Sequence, residues 1–482
     1  MPANNRLVWF LAAAIGLTVA GCGGSPHNPT PQGGFTNASL NGTFAFSFSG
    51  TDSAGFFAAA GSLTADGSGR ITSGVLDENK VGGVLSNVPI SGTYNIRADG
   101  RGVATINSSA ENFSMVFVIG SPQHVLLTRF ENSATGSGSM DLQNPAAFST
   151  AALAGTFVFN LAGVDTTANP FATVGSFSTD TTGTVTGGVQ DSADNGAIFV
   201  NEAISAGNIT VATNGRGTAS LSTVAGPLNF AFHVVDANRI KLMETDPSQA
   251  LAGDAFRQTG PASNGDVSGP FAFTIAGSTA TGGPFAAGGV FAADGAGNIP
   301  SGTEDLNDGG LVNANLGLTG VYSIAANGRG TATLSSSGGT FTFAAYPTTN
   351  GVQLLETDTG AVVSGGAFSQ TGTLSSASLQ GTYGLNQTGV TVNGPFDSVA
   401  SLNANGSGHM SGIVDVNNTG VLSTGTALTI SYSVDATGRG PLTLASSILG
   451  QQNMAVYVVN GNRALFVELD NNSVAIGELQ HQ

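Results

Sequence analysis

The segment Gly42-Thr43-Phe44-Ala45-Phe46-Ser47-Phe48 decides the fold of this chain. Its phenylalanines occupy every second position, and this alternation is typical of a β-strand with one buried face. The pattern returns in Phe157-Val158-Phe159-Asn160-Leu161 and in Phe271-Ala272-Phe273-Thr274-Ile275. No stretch of these repeats has a convincing helical period. The sequence therefore predicts an all-β protein.

The segment belongs to a unit that occurs four times. Its opening glycine recurs at steps of 113, 114 and 112 residues, as Gly42, Gly155, Gly269 and Gly381. A Gly-Arg-Gly tripeptide recurs around Arg101, Arg216, Arg329 and Arg439, and a glutamine closes each copy, at Gln143, Gln258, Gln370 and Gln480. Solenoid units are only about 20–50 residues long, so each copy is a whole domain. We expect four domains arranged as beads on a string, at residues 39–143, 153–258, 267–370 and 379–480.

The first copy contains eight candidate strands joined by short turns. We expect them near residues 42–49, 56–65, 69–77, 90–97, 101–107, 112–119, 124–131 and 137–143. Asx-Gly pairs such as Asp66-Gly67 and Asp99-Gly100 provide the positive φ angles of tight hairpins. An eight-strand meander removes its two edges by closing into an up-and-down barrel, which is the preferred fold. The alternative is an immunoglobulin-like sandwich, which needs longer crossovers.

The N-terminus has the features of an export signal. Arg6 precedes an apolar run from Leu7 to Ala20, which is too short to span a membrane comfortably. The run ends in Val19-Ala20-Gly21-Cys22, which resembles the lipobox of bacterial lipoproteins, and Cys22 is the one cysteine of the chain. The alternative is a plain secretory signal or a buried helix with a chance cysteine.

The lipobox resemblance implies a signal peptide at residues 1–21 and lipidation of Cys22. Residues 22–38 would then hold the lipidated cysteine and a flexible tether rich in Gly and Pro. Gly23 follows the cysteine where an aspartate would imply retention at the inner membrane, so the resemblance implies the outer membrane. The whole chain resembles glycine-rich repeat lipoproteins of bacteria, a resemblance that brings no known activity with it.

Composition excludes several classes of partner. The formal net charge is −17, with only 13 Lys and Arg among 482 residues. Nucleic acid requires a basic surface, so we expect no nucleic-acid partner. The expected partners are the membrane, through the lipid anchor, and a polysaccharide, an envelope component or a small molecule.

Two sets of recurring charges are candidates for a site. Each copy has one Gly-Arg-Gly arginine and one glutamate in its seventh strand, and an inward charge needs a partner because an unpaired buried charge is unfavourable. We expect structural ion pairs within each domain: Arg101 with Glu131, Arg216 with Glu244, Arg329 with Glu356, and Arg439 with Glu468. Acidic residues also recur at turns, as Asp66 and Asp77, Asp180 and Asp191, Asp294 and Asp305, and Asn405 and Asp415. Turn formation explains them better than calcium does.

No pattern in the sequence indicates catalysis. The five histidines fall at unrelated places, and no pair has metal-ligand spacing. We therefore expect no catalytic residue, no metal and no cofactor, and a protein that is not an enzyme. The leading hypothesis is a lipid-anchored cell-envelope protein with a structural or adhesive role. The alternative is small-ligand capture inside each barrel, as in lipocalins.

Overall fold

The computed structural model describes residues 34–80, 83–224, 226–258, 260–279 and 283–482. This part of the chain forms four closed barrels, each of eight antiparallel strands in up-and-down order. The predicted all-β barrel fold is confirmed, in preference to the sandwich. The predicted signal peptide and the lipidation site Cys22 lie outside the described residues. Among the described residues, no helix is long and apolar enough to cross a membrane.

The strands follow one another without crossovers. Barrel 1 contains β1 (Asn41–Asp52), β2 (Gly55–Asp66), β3 (Arg70–Lys80), β4 (Gly83–Ile96), β5 (Arg101–Ser108), β6 (Asn112–Ser121), β7 (His124–Glu131) and β8 (Ala134–Leu142). Barrel 2 contains β9 (Gly155–Asp165), β10 (Pro170–Thr179), β11 (Val185–Asp194), β12 (Ala197–Val211), β13 (Arg216–Thr223), β14 (Gly226–Asp236), β15 (Arg239–Glu244) and β16 (Gln249–Gln258). Barrel 3 contains β17 (Ser268–Ser278), β18 (Pro284–Asp294), β19 (Asn298–Asp308), β20 (Leu311–Ile324), β21 (Gly330–Ser336), β22 (Gly339–Thr348), β23 (Gly351–Glu356) and β24 (Val362–Ser369). Barrel 4 contains β25 (Gln380–Thr391), β26 (Gly394–Asn405), β27 (His409–Asn418), β28 (Val421–Tyr432), β29 (Arg439–Ser446), β30 (Gly450–Asn460), β31 (Arg463–Glu468) and β32 (Ser473–His481).

The largest difference from the expected strands of barrel 1 is in β4. This strand begins at Gly83, seven residues before the predicted start at residue 90. A bulge at Asn87, with a φ of 56°, interrupts the alternation that marks a strand in the sequence. The same bulge position has a positive φ in the other barrels, at Asn201, Asn315 and Gly425.

The interior of each barrel is filled by the inward-facing residues. In barrel 1, Phe44, Phe46 and Phe48 are almost completely buried, and Phe48 meets Phe57 edge to face at a centroid distance of 5.8 Å. Equivalent clusters fill the other three barrels. Eight strands enclose just enough space for side chains to fill. Four cavities of the described region lie between barrels.

A short 3-10 helix precedes the first strand of every barrel and covers one barrel end. In barrel 1 it is Asn37–Ser39, and Asn37 Oδ1 accepts the backbone N–H of Ile96 at 2.8 Å. Phe35 packs against the same core. The last residues of the predicted tether, 35–38, thus belong to the fold of the barrel.

The four barrels pack side by side in a closed ring. Strands one to three of each barrel face strands six to eight of the next, and β25–β27 of barrel 4 face β6–β8 of barrel 1. Each of the four interfaces has its own buried apolar cluster. The expected beads on a string are therefore corrected to a single ring, because strands one to three and six to eight are packed on both faces. Strands four and five lie mainly outside these interfaces.

Candidate functional site

The arginines of the four Gly-Arg-Gly turns reach out of their own barrels. Each forms an ion pair with an aspartate of the preceding barrel, and the aspartate for barrel 1 comes from barrel 4. The N···O distances are 2.6 Å for Arg216–Asp77, 2.6 Å for Arg329–Asp191, 2.5 Å for Arg439–Asp305 and 2.7 Å for Arg101–Asp415. The four pairs close the ring.

These pairs correct the predicted pairing within domains. Among the described residues, the ion pairs do not include Arg101 with Glu131, Arg216 with Glu244, Arg329 with Glu356, or Arg439 with Glu468. The reason is that successive side chains of a strand point to opposite faces of the sheet. Arg216 lies opposite His233 on the outer face of barrel 2, whereas Glu244 lies opposite Phe230 in the core.

Each interface aspartate is held by several donors. Asp77 accepts from Arg216, from His233 Nε2 at 2.9 Å, and from the backbone N–H of Asn87 in the β4 bulge at 2.8 Å. In the next two interfaces a tyrosine replaces the histidine: Tyr346 Oη donates to Asp191 at 2.5 Å, and Tyr457 Oη donates to Asp305 at 2.8 Å. The bulge therefore has a function, since it directs an N–H at a buried carboxylate.

At Asp77 the hydrogen bonds outweigh the effect of burial on the pKa. Burial by itself would raise the pKa of Asp77, but His233 and Arg216 hold that pKa well below its ordinary value. Burial also lowers the pKa of His233. Asp77 is therefore ionised, and its interaction with Arg216 is charge-assisted.

The recurring glutamates lie inside the barrels, with one exception. Arg129, not Glu131, pairs across β6 at the position that Glu244, Glu356 and Glu468 occupy in the other barrels. Arg129 Nε donates to Glu131 at 2.9 Å. Burial raises the pKa of Glu244 to about 9 and those of Glu356 and Glu468 to about 7.

An asparagine two residues after the interface aspartate links neighbouring barrels. The Asn79 amide donates to the carbonyl oxygens of Glu244, Asp246 and Gln249 at 2.7–3.0 Å. Asn307 and Asn417 make the equivalent three bonds at two other interfaces. Barrel 2 has Ala193 at this position. In the sequence, these asparagines can be recognised because each lies two residues after one of the recurring aspartates.

The closing glutamines also connect barrels. Gln143 Nε2 donates to Val234 O at 2.5 Å, and Gln370 Nε2 donates to Val458 O at 2.7 Å. The equivalent residue in barrel 4 is Gln482, whose backbone N–H bonds to Thr382 as that of Gln143 bonds to Thr43. This corrects the assignment of Gln480, because the spacing alone does not distinguish two glutamines two residues apart.

The turn aspartates act as turn residues. Asp66 Oδ1 accepts the backbone N–H groups of Ser68 and Arg70 at 2.7 and 3.0 Å, and Asp294 accepts those of Ala296 and Asn298 in the same way. Such Asx turns need no ion. In the described ranges, no group of three His, Cys, Asp or Glu residues is placed to hold a metal.

One cavity lies where all four barrels meet, and we call it the axial cavity. Its volume is about 420 Å³, and it is lined by the first and last strands of every barrel. One register position of the first strands contributes Ser47, Asn160, Thr274 and Asn386, and the residues paired with them contribute Ser139, Asp254, Gly366 and Glu478. A second cavity of about 370 Å³ shares Ser49, Thr388 and Ile476 with it and is more apolar.

A glycine in each last strand allows this strand to lie close to the first strand of the same barrel. The four equivalent residues are Gly138, Gly253, Gly365 and Gly477. A Cβ at Gly253 would lie 1.9 Å from Asn160 O, and at Gly138 it would lie 2.1 Å from Ser47 O. Only glycine therefore allows the first and last strands to approach as closely as they do.

The charged residues near the axis differ from one barrel to the next. The Lys241 ammonium is fully buried and lies 3.1 Å from Asp141 and 3.4 Å from Asp254. Arg239 bonds to the same two aspartates at 2.9 and 2.5 Å. On the opposite side, Arg463 bonds to Glu478 at 2.9 Å and stacks on an aromatic ring of barrel 3. The sequence analysis missed these residues because none of them recurs in all four copies.

Comparisons with known proteins give no family. No protein-family model matches the chain, and no curated protein matches it. Solved structures with similar segments include a point mutant of transferrin binding protein B from Haemophilus parasuis (11% identity, 76% of this chain and 86% of that chain, TM-score 0.21). Another is the isotype 1 transferrin binding protein B of Neisseria meningitidis (11%, 76% and 86%, TM-score 0.20). A third is a protein of unknown function from the DUF3598 family of Nostoc punctiforme (8%, 92% and 97%, TM-score 0.17).

Proposed function

We propose that this chain is a lipid-anchored cell-envelope protein with a structural or adhesive role, held at the outer membrane through Cys22. The observation that supports it best is the closed ring, which holds four equivalent outer surfaces at fixed separations. We call the exposed face of strands four and five of each barrel its outer wall: β4/β5, β12/β13, β20/β21 and β28/β29. In this proposal the protein has no catalytic role.

The chemistry of the outer walls suits a neutral partner. In the described parts of β4, β12, β20 and β28, none of the exposed residues is charged, although the chain as a whole carries −17. Exposed residues such as Ser91, Asn208, Thr319 and Thr429 offer hydroxyl and amide groups. These groups both donate and accept hydrogen bonds, as neutral polysaccharides do.

The ring also supports binding by several weak sites at once. Large, apolar interfaces between domains suppress their relative motion, and each interface here has a buried apolar cluster as well as an ion pair. Fixed geometry lets the second and later contacts form at high effective concentration. Each wall can thus be a weak site within a strong attachment.

The test is retention of residues 35–482 on insoluble polysaccharides and on envelope fractions. An isolated barrel is unsuitable because its interface clusters would be exposed. Glutamate is instead introduced at one equivalent wall position per barrel, in one, two, three and then all four barrels: Ser91→Glu, Ala206→Glu, Thr319→Glu and Thr429→Glu. We expect retention to fall by a larger factor with each added wall.

The matched control places four glutamates in the exposed turns between strands two and three: Ser68→Glu, Thr182→Glu, Ala296→Glu and Ser407→Glu. These turns lie outside the walls, so retention should stay at the wild-type level. Failure of the wild-type chain to bind any fraction, or unchanged retention of the four-wall variant, would refute the adhesive role. For the anchor, Cys22→Ser should move the protein from the membrane fraction to the soluble fraction.

A further inference from the structure

We propose that the axial cavity is a binding site for a neutral, polyhydroxylated ligand, such as the end of an oligosaccharide chain. This site is separate from the outer walls and does not depend on the adhesive role. It is a single site per molecule, because all four barrels contribute to it.

Equivalent positions of the axial cavity hold different residue types in the four barrels. The interface positions hold Asp and Arg in every barrel, whereas one axial position holds Ser139, Asp254, Gly366 and Glu478. These four residues occupy equivalent positions of equivalent strands. Packing of the strands therefore does not require four different residue types there. The result is an asymmetric polar lining, as an asymmetric ligand requires.

Several hydroxyl groups of the lining are available to a ligand. Among the described residues, the side chains of Ser49, Thr274 and Ser364 make no hydrogen bond, and all three are partly exposed. Asn160 Nδ2 donates to Gln353 Oε1 at 3.2 Å, which leaves the Gln353 amide nitrogen as a further donor. Hydroxyl and amide groups in a concave site match the mixed donors and acceptors of sugar hydroxyls.

The charges of the lining favour a neutral ligand over an anion. Arg463 is bonded to Glu478, and Arg239 and Lys241 are bonded to Asp254. Nearby cations lower the pKa values of Asp254 and Glu478 against the effect of burial, so both carboxylates are ionised acceptors. An anionic ligand would meet these carboxylates and would have to displace one of them from its cation.

The size and polarity gradient of the cavity fit the same ligand class. Small-molecule sites usually enclose about 300–1,000 Å³. The axial cavity of about 420 Å³ continues into the second cavity of about 370 Å³, which is lined by Phe56, Phe285 and Val390 among others. Sugar hydroxyls would face the polar part, and the apolar face of a ring would face the second part.

The experiment is isothermal titration of residues 35–482 with maltotriose, cellotriose and chitotriose, and with trigalacturonic acid as the anionic probe. We expect at least one neutral trisaccharide to bind and trigalacturonic acid not to bind. Ser364→Phe fills the cavity without removing a hydrogen bond and should weaken binding at least about tenfold. Ser68→Phe, in the exposed turn between β2 and β3, is the matched control and should bind like the wild type.

Three results would overturn the proposal: no binding of any neutral probe, tighter binding of the anionic probe, or unchanged binding by Ser364→Phe. If Ser364→Phe does not fold, Thr274→Val removes one hydroxyl without changing the shape of the side chain and should weaken binding several-fold. The four-wall glutamate variant should keep trisaccharide binding, so this site and the adhesive role fail or succeed independently.

Discussion

The interfaces and the axis of the ring are built from the same strands, but only the interfaces repeat. Every interface has an Asp–Arg pair between neighbouring barrels, while the axis has different residues in each barrel. An interface must satisfy one geometry four times, because a head-to-tail contact closes into a ring only at one rotation. The ring has a single axis, so the residues that line it need not be the same in every barrel. The residues that are the same in all four barrels therefore form the interfaces, whereas residues that differ among the barrels line the candidate binding site.

The largest loss of stability should come from breaking an interface pair. Arg216→Met leaves Asp77 buried beside His233 without its arginine, and removing one partner of a buried pair destabilises by about 3–5 kcal/mol. Calorimetric melting of residues 35–482 measures it. Arg70→Met, on the exposed start of β3, is the control and should leave the melting temperature unchanged. Equal melting of the two variants would show that the pairs do not hold the ring.

A smaller loss is expected at the asparagine contacts. Asn307→Ala removes three hydrogen bonds to the carbonyl oxygens of barrel 4 at 2.9–3.0 Å. Buried carbonyls left without donors destabilise by about 1–3 kcal/mol. Asn313→Ala, at an exposed position of β20, is the matched control in the same melting experiment. A loss no greater than that of Asn313→Ala would mean that Ala193 represents the general case and the asparagines are dispensable.

The pH dependence of stability separates the interfaces from the barrel interiors. The pKa of Asp77 lies below its ordinary value of 3.8, so its stabilising contribution is present above about pH 4 and is lost as the pH falls further. The pKa of Glu244 is raised from 4.5 to about 9, so its contribution is present below about pH 4.5 and is lost as the pH rises toward 9.

Glu244→Gln tests the second part of this dependence. The variant should be more stable than the wild type by about 1.4 kcal/mol for each pH unit above about 4.5, so the difference should be several kcal/mol at pH 8 and small at pH 5. Melting temperatures across pH 5–9 measure it. Asp180→Asn, in an exposed turn of barrel 2, is the control and should show no such trend, because the pKa of Asp180 lies below its ordinary value of 3.8. A constant difference at all pH values would mean that the Glu244 carboxyl is not protonated in the folded state.

The smallest effect should come from the axis. Ser137→Ala removes one hydrogen bond, of 2.8 Å, to Asn386 at a partly exposed position, which contributes about 0.5–1 kcal/mol. Melting of this variant beside Arg216→Met tests the comparison directly. If both variants lost the same stability, the axis would be as structural as the interfaces.

The barrels could be predicted from the sequence because their determinants are local. Alternation over Phe44 to Phe48 specifies a strand with one inner face, and Asx-Gly turns specify its hairpins. Eight strands were predicted in the first copy, and eight are present. A bulge such as the one at Asn87 hides part of a strand, because it breaks the period that identifies the strand.

The ring could not be predicted, because its determinants lie in different copies. Asp77 and Arg216 are 139 residues apart, and both recur, but so do the glutamates that were chosen as partners. The alternation of side chains shows whether a residue points into the barrel or out of it only when the pairing register of its strand is known. In barrel 1 the hairpin after β7 is tighter, which shifts Glu131 two residues past the position of Glu244. The axial residues carried little signal, since Lys241 occurs in one copy and the arginine at positions 239 and 463 occurs in only two.

The contact between barrels 4 and 1 joins the beginning and the end of the described chain. Arg101 and Asp415 are 314 residues apart, so this interface forms only after almost the whole chain has been made. Until then, barrel 1 exposes the apolar residues Val116, Val118 and Leu126, which later pack against Val399. Long-range contacts form slowly, and exposed apolar surface favours aggregation during that delay. A chain crossing a membrane from its N-terminus would therefore need protection of its first barrel until its last strand emerges.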